Sequence, residues 1–264
     1  MINSKTNFVS FYSVLNILLL TFSILPISPA FSQPTIVLNT AFASPISNSS
    51  QTGFADKVLT EAFHRIGYQL ETVQLPAERA LINANRGIDD GDLLRVAGLQ
   101  SKYPNLIQVP EKIIDMDMVL FTKNQPSFYV DSWQSIKSHS IAIISGWKIM
   151  ETNFGQLGDQ IEIIKTDNIE QSLNLLMKDR VDFIAYSRWS GLAYLKEQGI
   201  NGITLLSPPL VSPALYTYLH IKHKKIVPEL AAAIRQMKYD GSIHAIYERI
   251  LKPLEQTAAK KTEN

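Results

Sequence analysis

Apolar positions along the chain recur in two alternating periods. Segment 35–39 is a short β-branched and apolar run. Phe54, Val58, Ala62 and Ile66 then recur every four residues, the spacing of one helix face, until Gly67 breaks the pattern. Segment 69–75 is a second extended run, so this region reads as a βαβ unit. Pro76 opens another helix, with Glu78 in its first turn where an acid complements the helix dipole, and Gly87 closes it. Segment 92–97 supplies a third strand. Such alternation predicts an α/β sheet with helices on both faces.

The alternation restarts after Lys123. Segments 141–144, 161–164, 181–185 and 203–206 read as strands, and 169–177 and 189–197 as helices, the latter ended by Gly199. Two extended segments, 116–122 and 215–221, lead out of the first set and back to it. Leu230, Ile234 and Met237 then share one helical face, and Ile243, Ile246, Tyr247 and Ile250 share another beyond an Asp240-Gly241 break. The expected architecture is two α/β lobes, each a mixed sheet flanked by helices, joined by two hinge strands. Lobe one is discontinuous (33–121 and 216–252), lobe two spans 122–215, and 253–264 is a polar tail expected to be disordered.

The N-terminal pattern is of another kind. Residues 1–8 are polar with one Lys, 14–25 are largely apolar, and 26–32 form a breaker-rich stretch ending Ala30-Phe31-Ser32. This reads as a secretory signal cleaved after Ser32, placing the mature chain in the periplasm or outside the cell. The apolar run is interrupted by Asn16, Thr21 and Ser23 and falls short of the ~20 residues of a membrane span; an uncleaved anchor is the alternative.

Composition removes several classes of function. The chain has 25 Lys and Arg against 24 Asp and Glu, and residues 1–32 contain one Lys and no acid. A neutral mature chain offers no electrostatic basis for binding nucleic acid or anionic lipid. The absence of Cys excludes a disulfide framework and thiol chemistry. His64, His139, His220, His223 and His244 are scattered without zinc-site spacing, and no nucleophile elbow, H-E-x-x-H helix or phosphate loop occurs. Neither a metal, a cofactor nor an enzymatic activity is expected.

Candidate chemistry centres on arginine. In "GDLLRVAG", Arg95 stands among apolar residues with five N–H donors to satisfy. It lies toward the carboxyl end of its strand, where α/β sheets open into a ligand crevice, so its guanidinium suits a ligand carboxylate. The structural alternative is a salt bridge to Asp90 or Asp92. Arg79, in the first turn after Pro76, reads from the residues alone as a solvated arginine paired with Glu78 or Asp89. Ser145, Gly146 and Trp147 stand where a strand gives way to a helix, a place whose free backbone N–H groups bind anions. Trp147 would add a flat apolar wall.

Five phrases, "TGFADKVLTEAFHRIGY", "LPAERALINANRGIDDGDL", "YPNLIQVP", "VDFIAYS" and "MKYDGSIHAIYERIL", in this order and following a secretion signal, resemble the type II periplasmic solute-binding proteins. The similarity is to the family-3 group that serves polar amino-acid uptake, and it covers nearly all of residues 34–252. It implies a ligand enclosed between two lobes, with Phe42 and Ser44 on one wall and Gly146 and Trp147 at the ligand carboxylate. It also implies a monomer that delivers a small solute to a membrane permease of an ABC importer or to a sensor. Two departures stand out. "GLQSKYPNL" has Lys102 and Tyr103 where amino-acid binders carry an Arg, and Ser187, followed by Arg188, replaces the Asp that holds an α-amino group. With Arg79, which stands where many relatives carry an arginine two residues after an aromatic that is missing here, Arg95 and Arg188 near the cleft, and only Glu78, Asp90 and Asp92 as nearby acids, an anionic or carboxylate-bearing solute is the expectation. Periplasmic cyclohexadienyl dehydratases resemble the same fold, and in such an enzyme Glu78 would be the candidate acid.

Overall fold

The computed structural model describes residues 33–259. The segment read as a signal, 1–32, lies outside the described residues. Two five-stranded sheets organise the chain. The first contains β1 (Thr35–Thr40), β2 (Gln69–Gln74), β3 (Gly91–Val96), β4 (Leu106–Asp115) and β10 (Ala214–His220), in the order β2-β1-β3-β10-β4. The second contains β5 (Met118–Thr122), β6 (Ser140–Ile144), β7 (Glu162–Thr166), β8 (Phe183–Ser187) and β9 (Thr204–Leu205), in the order β7-β6-β8-β5-β9. In each sheet three strands run parallel, β1 with β2 and β3, and β6 with β7 and β8, while β10 and β5 run antiparallel to their neighbours.

Helices cross between the parallel strands, as the alternating periods predict. Helix α1 (Phe54–Arg65) buries Phe54, Val58, Leu59, Ala62 and Phe63 on one stripe, and α2 (Ala77–Arg86) ends at Gly87 with φ 72°. The second sheet is flanked by α3 (Lys148–Gly155), α4 (Ile169–Met177) and α5 (Arg188–Glu197). Its strands show the period-2 logic directly. Val119, Phe121, Ala142 and Ile184 join one core, while Met118, Leu120, Ile141, Ile143 and Phe183 join the other. Helices α6 (Val227–Tyr239) and α7 (Ser242–Ile250) return to the first sheet, with Leu230, Ile234 and Met237 buried against it.

Three boundaries differ from the sequence reading. Strand β4, ten residues long, is not predicted by the pattern, because its exposed and buried positions follow no regular alternation. The sequence pattern places residues 118–121 in the first lobe, yet β5 pairs with β8 and β9 in the second sheet. The tail expected to be disordered from residue 253 begins as helix α8 (Lys252–Ala259), because Leu251 and Leu254 bury their side chains and Glu255 bonds Tyr247. The two passages between the sheets lie side by side: Met116 N–H donates to Pro213 C=O at 2.9 Å, Met118 N–H to Val211 C=O at 2.9 Å, and Leu210 N–H to Met118 C=O at 2.8 Å. Among the described residues no helix is long and apolar enough to cross a membrane.

Candidate functional site

A cavity of about 380 Å³ opens at the carboxyl ends of β1, β3, β6 and β8. Ligands of open α/β sheets bind at this edge, where parallel strands end and helices begin. Ala41, Phe42, Ala43 and Arg95 line it from the first sheet, and Met116 and Met118 from the connection between sheets. Trp147, Ile149, Tyr186, Ser187 and Ser190 line it from the second.

Arg95 is placed by its strand. Leu93 and Leu94 are fully buried, and the chain reaches the edge of the sheet at Arg95, opposite Tyr216 of β10. Its Nε donates to Asp92 Oδ2 at 2.7 Å and its Nη2 to the Ala77 carbonyl at 3.1 Å. The salt-bridge alternative is therefore real, and its partner is Asp92 rather than Asp90. These two bonds use two of five N–H donors, so three remain on a side chain that lines the cavity and is 15% exposed. Asp92 is wholly buried, and burial pushes its carboxyl up to about 6 against the pull of Arg95. Asp90 has other duties: despite burial, which acts the opposite way, bonds from Lys222, the Val37 amide and His223 hold its carboxyl below the ordinary value.

The wall after β1 is held from beneath. Asp56, in the first turn of α1 and fully buried, accepts from Ser47 Oγ at 2.7 Å and from the Asn48 and Gly53 amides at 3.0 Å. Asn39 donates to the Ala80 carbonyl at 2.8 Å and to Asp89 at 2.7 Å. These bonds tie the ends of the loop that presents Phe42 to α1 and α2. Ser44 is exposed and lies beside the lining rather than on it.

The expected anion site of lobe two is already filled by the protein. The Ser145 amide donates to the Thr166 carbonyl, the Gly146 amide to Glu151 Oε1 at 3.1 Å, and the Trp147 amide to the Ile144 carbonyl. Gly146 has φ 81°, a left-handed turn that L side chains disfavour. Glu151, one turn into α3 and 3.1 Å from Lys165, takes the place an anion would occupy. What the wall does offer is aromatic. Trp147 stacks on Tyr186 with centroids 4.9 Å apart and planes at 17°, and desolvation raises the Tyr186 phenol pKa above its ordinary value.

Three further candidates lie off the cavity. Glu78 is 68% exposed, accepts from Tyr103 Oη at 3.3 Å and sits 3.8 Å from Lys102. Arg79 is exposed, with neither Glu78 nor Asp89 as an ion-pair partner. Arg188 serves the hinge instead: its Nε lies 2.9 Å from Asp117 Oδ2, off the hydrogen-bond line, and its Nη1 3.5 Å from Glu255 of α8. Of the candidate residues, the cavity brings together Arg95, Phe42, Trp147 and Ser187. It adds Tyr186, Met116, Met118, Ile149 and Ser190, which the sequence reading passed over. An aromatic hydroxyl ending an apolar strand, as in "FIAYS", was the available signal for Tyr186.

Solved structures share this fold. The probable amino-acid ABC transporter extracellular-binding protein ytmK of Bacillus subtilis matches 83% of this chain and 98% of its own, with a TM-score of 0.69 and 11% identity. The GluR0 ligand-binding core of Nostoc punctiforme, in complex with L-glutamate, matches 83% and 100% with a TM-score of 0.63 and 14% identity. This chain has the type II periplasmic-binding-protein fold. At such identities the likeness establishes the fold alone. The ancestral amino acid-binding protein AncCDT-1, a precursor of cyclohexadienyl dehydratase, has the same fold at a TM-score of 0.62 and 15% identity over 83% of this chain and 95% of its own. An uncharacterized protein of Shewanella oneidensis is 27% identical over 223 residues, 81% of each chain. No protein-family model matches.

Proposed function

We propose that this binding-protein fold is an exported solute-binding protein that captures a small carboxylate-bearing solute, an amino acid or an organic acid, and hands it as a monomer to a membrane permease or sensor. The observation that carries this reading is Arg95, which lines a cavity at the carboxyl ends of both sheets with three N–H donors unspent. A charge-assisted bond from such a guanidinium contributes about 1.5 to 3 kcal/mol, so a bidentate contact supplies a large share of the roughly 8 kcal/mol of a micromolar complex. A solute held by Arg95 on one wall and by Trp147 or Ser187 on the other favours whichever arrangement of the lobes lets it touch both. Neighbours in fold that are named for binding glutamate or arginine lend the same support.

An enzymatic reading finds less. Glu78, the acid it would use, is exposed and bonded to Tyr103 away from the lining. A thermal-shift survey of carboxylates against the purified chain tests the proposal. Stabilisation by a carboxylate that vanishes in Arg95→Gln is the expected result; stabilisation only by uncharged or cationic solutes would overturn it.

A further inference from the structure

Resting on the solute-binding reading just given, we infer that the cavity selects carboxylates that carry a flat apolar body and no ammonium group, organic acids rather than α-amino acids.

The charges around the cavity point one way. Among the described residues Arg95 lines it, and no Asp or Glu does. The acids nearest in the fold are all committed elsewhere. Asp92 is fully buried and accepts from Arg95 Nε and the Leu94 amide. Asp117 is engaged with Arg188 and Ser212. Glu151 receives the Gly146 amide and faces Lys165, and Glu78 faces Tyr103 and Lys102. An α-ammonium brought in beside a carboxylate would find, among the lining side chains, only the hydroxyls of Tyr186, Ser187 and Ser190 as oxygen acceptors. Hydroxyls accept hydrogen bonds without neutralising charge, and Arg95 repels a second cation in the same cavity. Cation–π attraction is a weaker substitute here, because Tyr186 already covers one face of Trp147.

The rest of the wall describes the solute's body. Phe42, Met116, Met118, Ile149 and the Trp147–Tyr186 stack make a surface of rings, thioethers and alkyl groups. Such a surface rewards an aromatic or branched apolar group, and methionines adapt to its outline. A volume of about 380 Å³ is at the small end of ligand pockets and suits one or two fused rings with a short acid chain.

The test compares solutes that share a ring and differ in charge. Isothermal titration of the full chain with 3-phenylpropionate, phenylalanine and phenethylamine, and with indole-3-propionate and tryptophan, is expected to show the acid of each set binding at least tenfold tighter than its amino-acid counterpart. The amine should not bind. Trp147→Ala is expected to weaken the aryl acids at least threefold while circular dichroism stays unchanged. An amino acid binding as tightly as its matching acid overturns the inference and leaves the solute-binding reading standing, as does tight binding of a small polar dicarboxylate in place of every aryl acid. Silence from all acids and amino acids, with the protein folded, overturns both.

Discussion

The buried pair behind the cavity makes anion affinity depend on pH, and the sign follows from Asp92. Its carboxyl titrates at about 6 in the free protein because burial disfavours the charged form, with a further push from Asp89, while Arg95 and the Leu94 amide oppose the rise. At pH 7.5 Asp92 is ionised and already offsets the guanidinium that an anion would use. At pH 5.5 it is mostly protonated and Arg95 carries an uncompensated charge. An anion on the far side of that guanidinium sits on the order of 7 Å from Asp92, where two like charges repel by about 2 kcal/mol at an effective dielectric of 20, and by about 1 once the open mouth is screened. Binding therefore raises the Asp92 pKa by about one unit, and by linkage affinity rises about fourfold to twelvefold between pH 7.5 and 5.5. Calorimetric titration with a carboxylate whose own pKa lies below about 4.5 measures this directly, since the solute stays ionised throughout. Asp92→Asn, which keeps an acceptor for Arg95, should flatten the profile. Affinity that is flat in the unmodified protein, or that falls toward pH 5.5, refutes the reasoning.

Other outcomes follow from single contacts. Asp56→Ala leaves Ser47 Oγ and the Asn48 and Gly53 amides without their buried acceptor; a loss of about 3 kcal/mol is expected, lowering Tm by about 6 to 12 °C for a domain of this size, with an unchanged Tm as the contrary result. Glu78→Gln should leave solute affinity within twofold, because the carboxylate is exposed and off the lining; loss of binding by titration would return Glu78 to the site. Arg188→Gln removes contacts to Asp117 and Glu255 and should cost about 1 to 3 kcal/mol in urea unfolding while changing solute affinity less than threefold.

The fold was largely legible because period carries it. The four-residue spacing of Phe54, Val58 and Ala62, the helix 169–177 and the paired faces of 230–237 and 243–250 all recur in the structure, since amphipathic stripes must face a core. Strand β4 was less legible because it lies at the sheet edge and half its positions are only partly buried. At the site, Arg95 announced itself as a charge in an apolar strand. The loop 145–147 misled for a specific reason: a strand-to-helix turn predicts free amides, and nothing local in "SGWKIMET" says that Glu151 folds back onto Gly146. Arg188 misled similarly, since Asp117 and Glu255, its partners, are distant in sequence and are brought to it only by the hinge and by α8. The apolar lining from Met116, Met118 and Ile149 was invisible because such residues read as core wherever they occur.

The central claim is that Arg95 receives the carboxylate of a captured solute. Its most direct test is a thermal-shift titration of the chain and of Arg95→Gln, side by side, with the tightest carboxylate found. At one hundred times the dissociation constant the unmodified protein should gain about 2.7 kcal/mol, a rise of several degrees in Tm, and Arg95→Gln, folded to the same far-ultraviolet spectrum, should show no rise at the same concentration. Equal rises in both proteins would mean that the solute is held elsewhere and that Arg95 serves only its bond to Asp92.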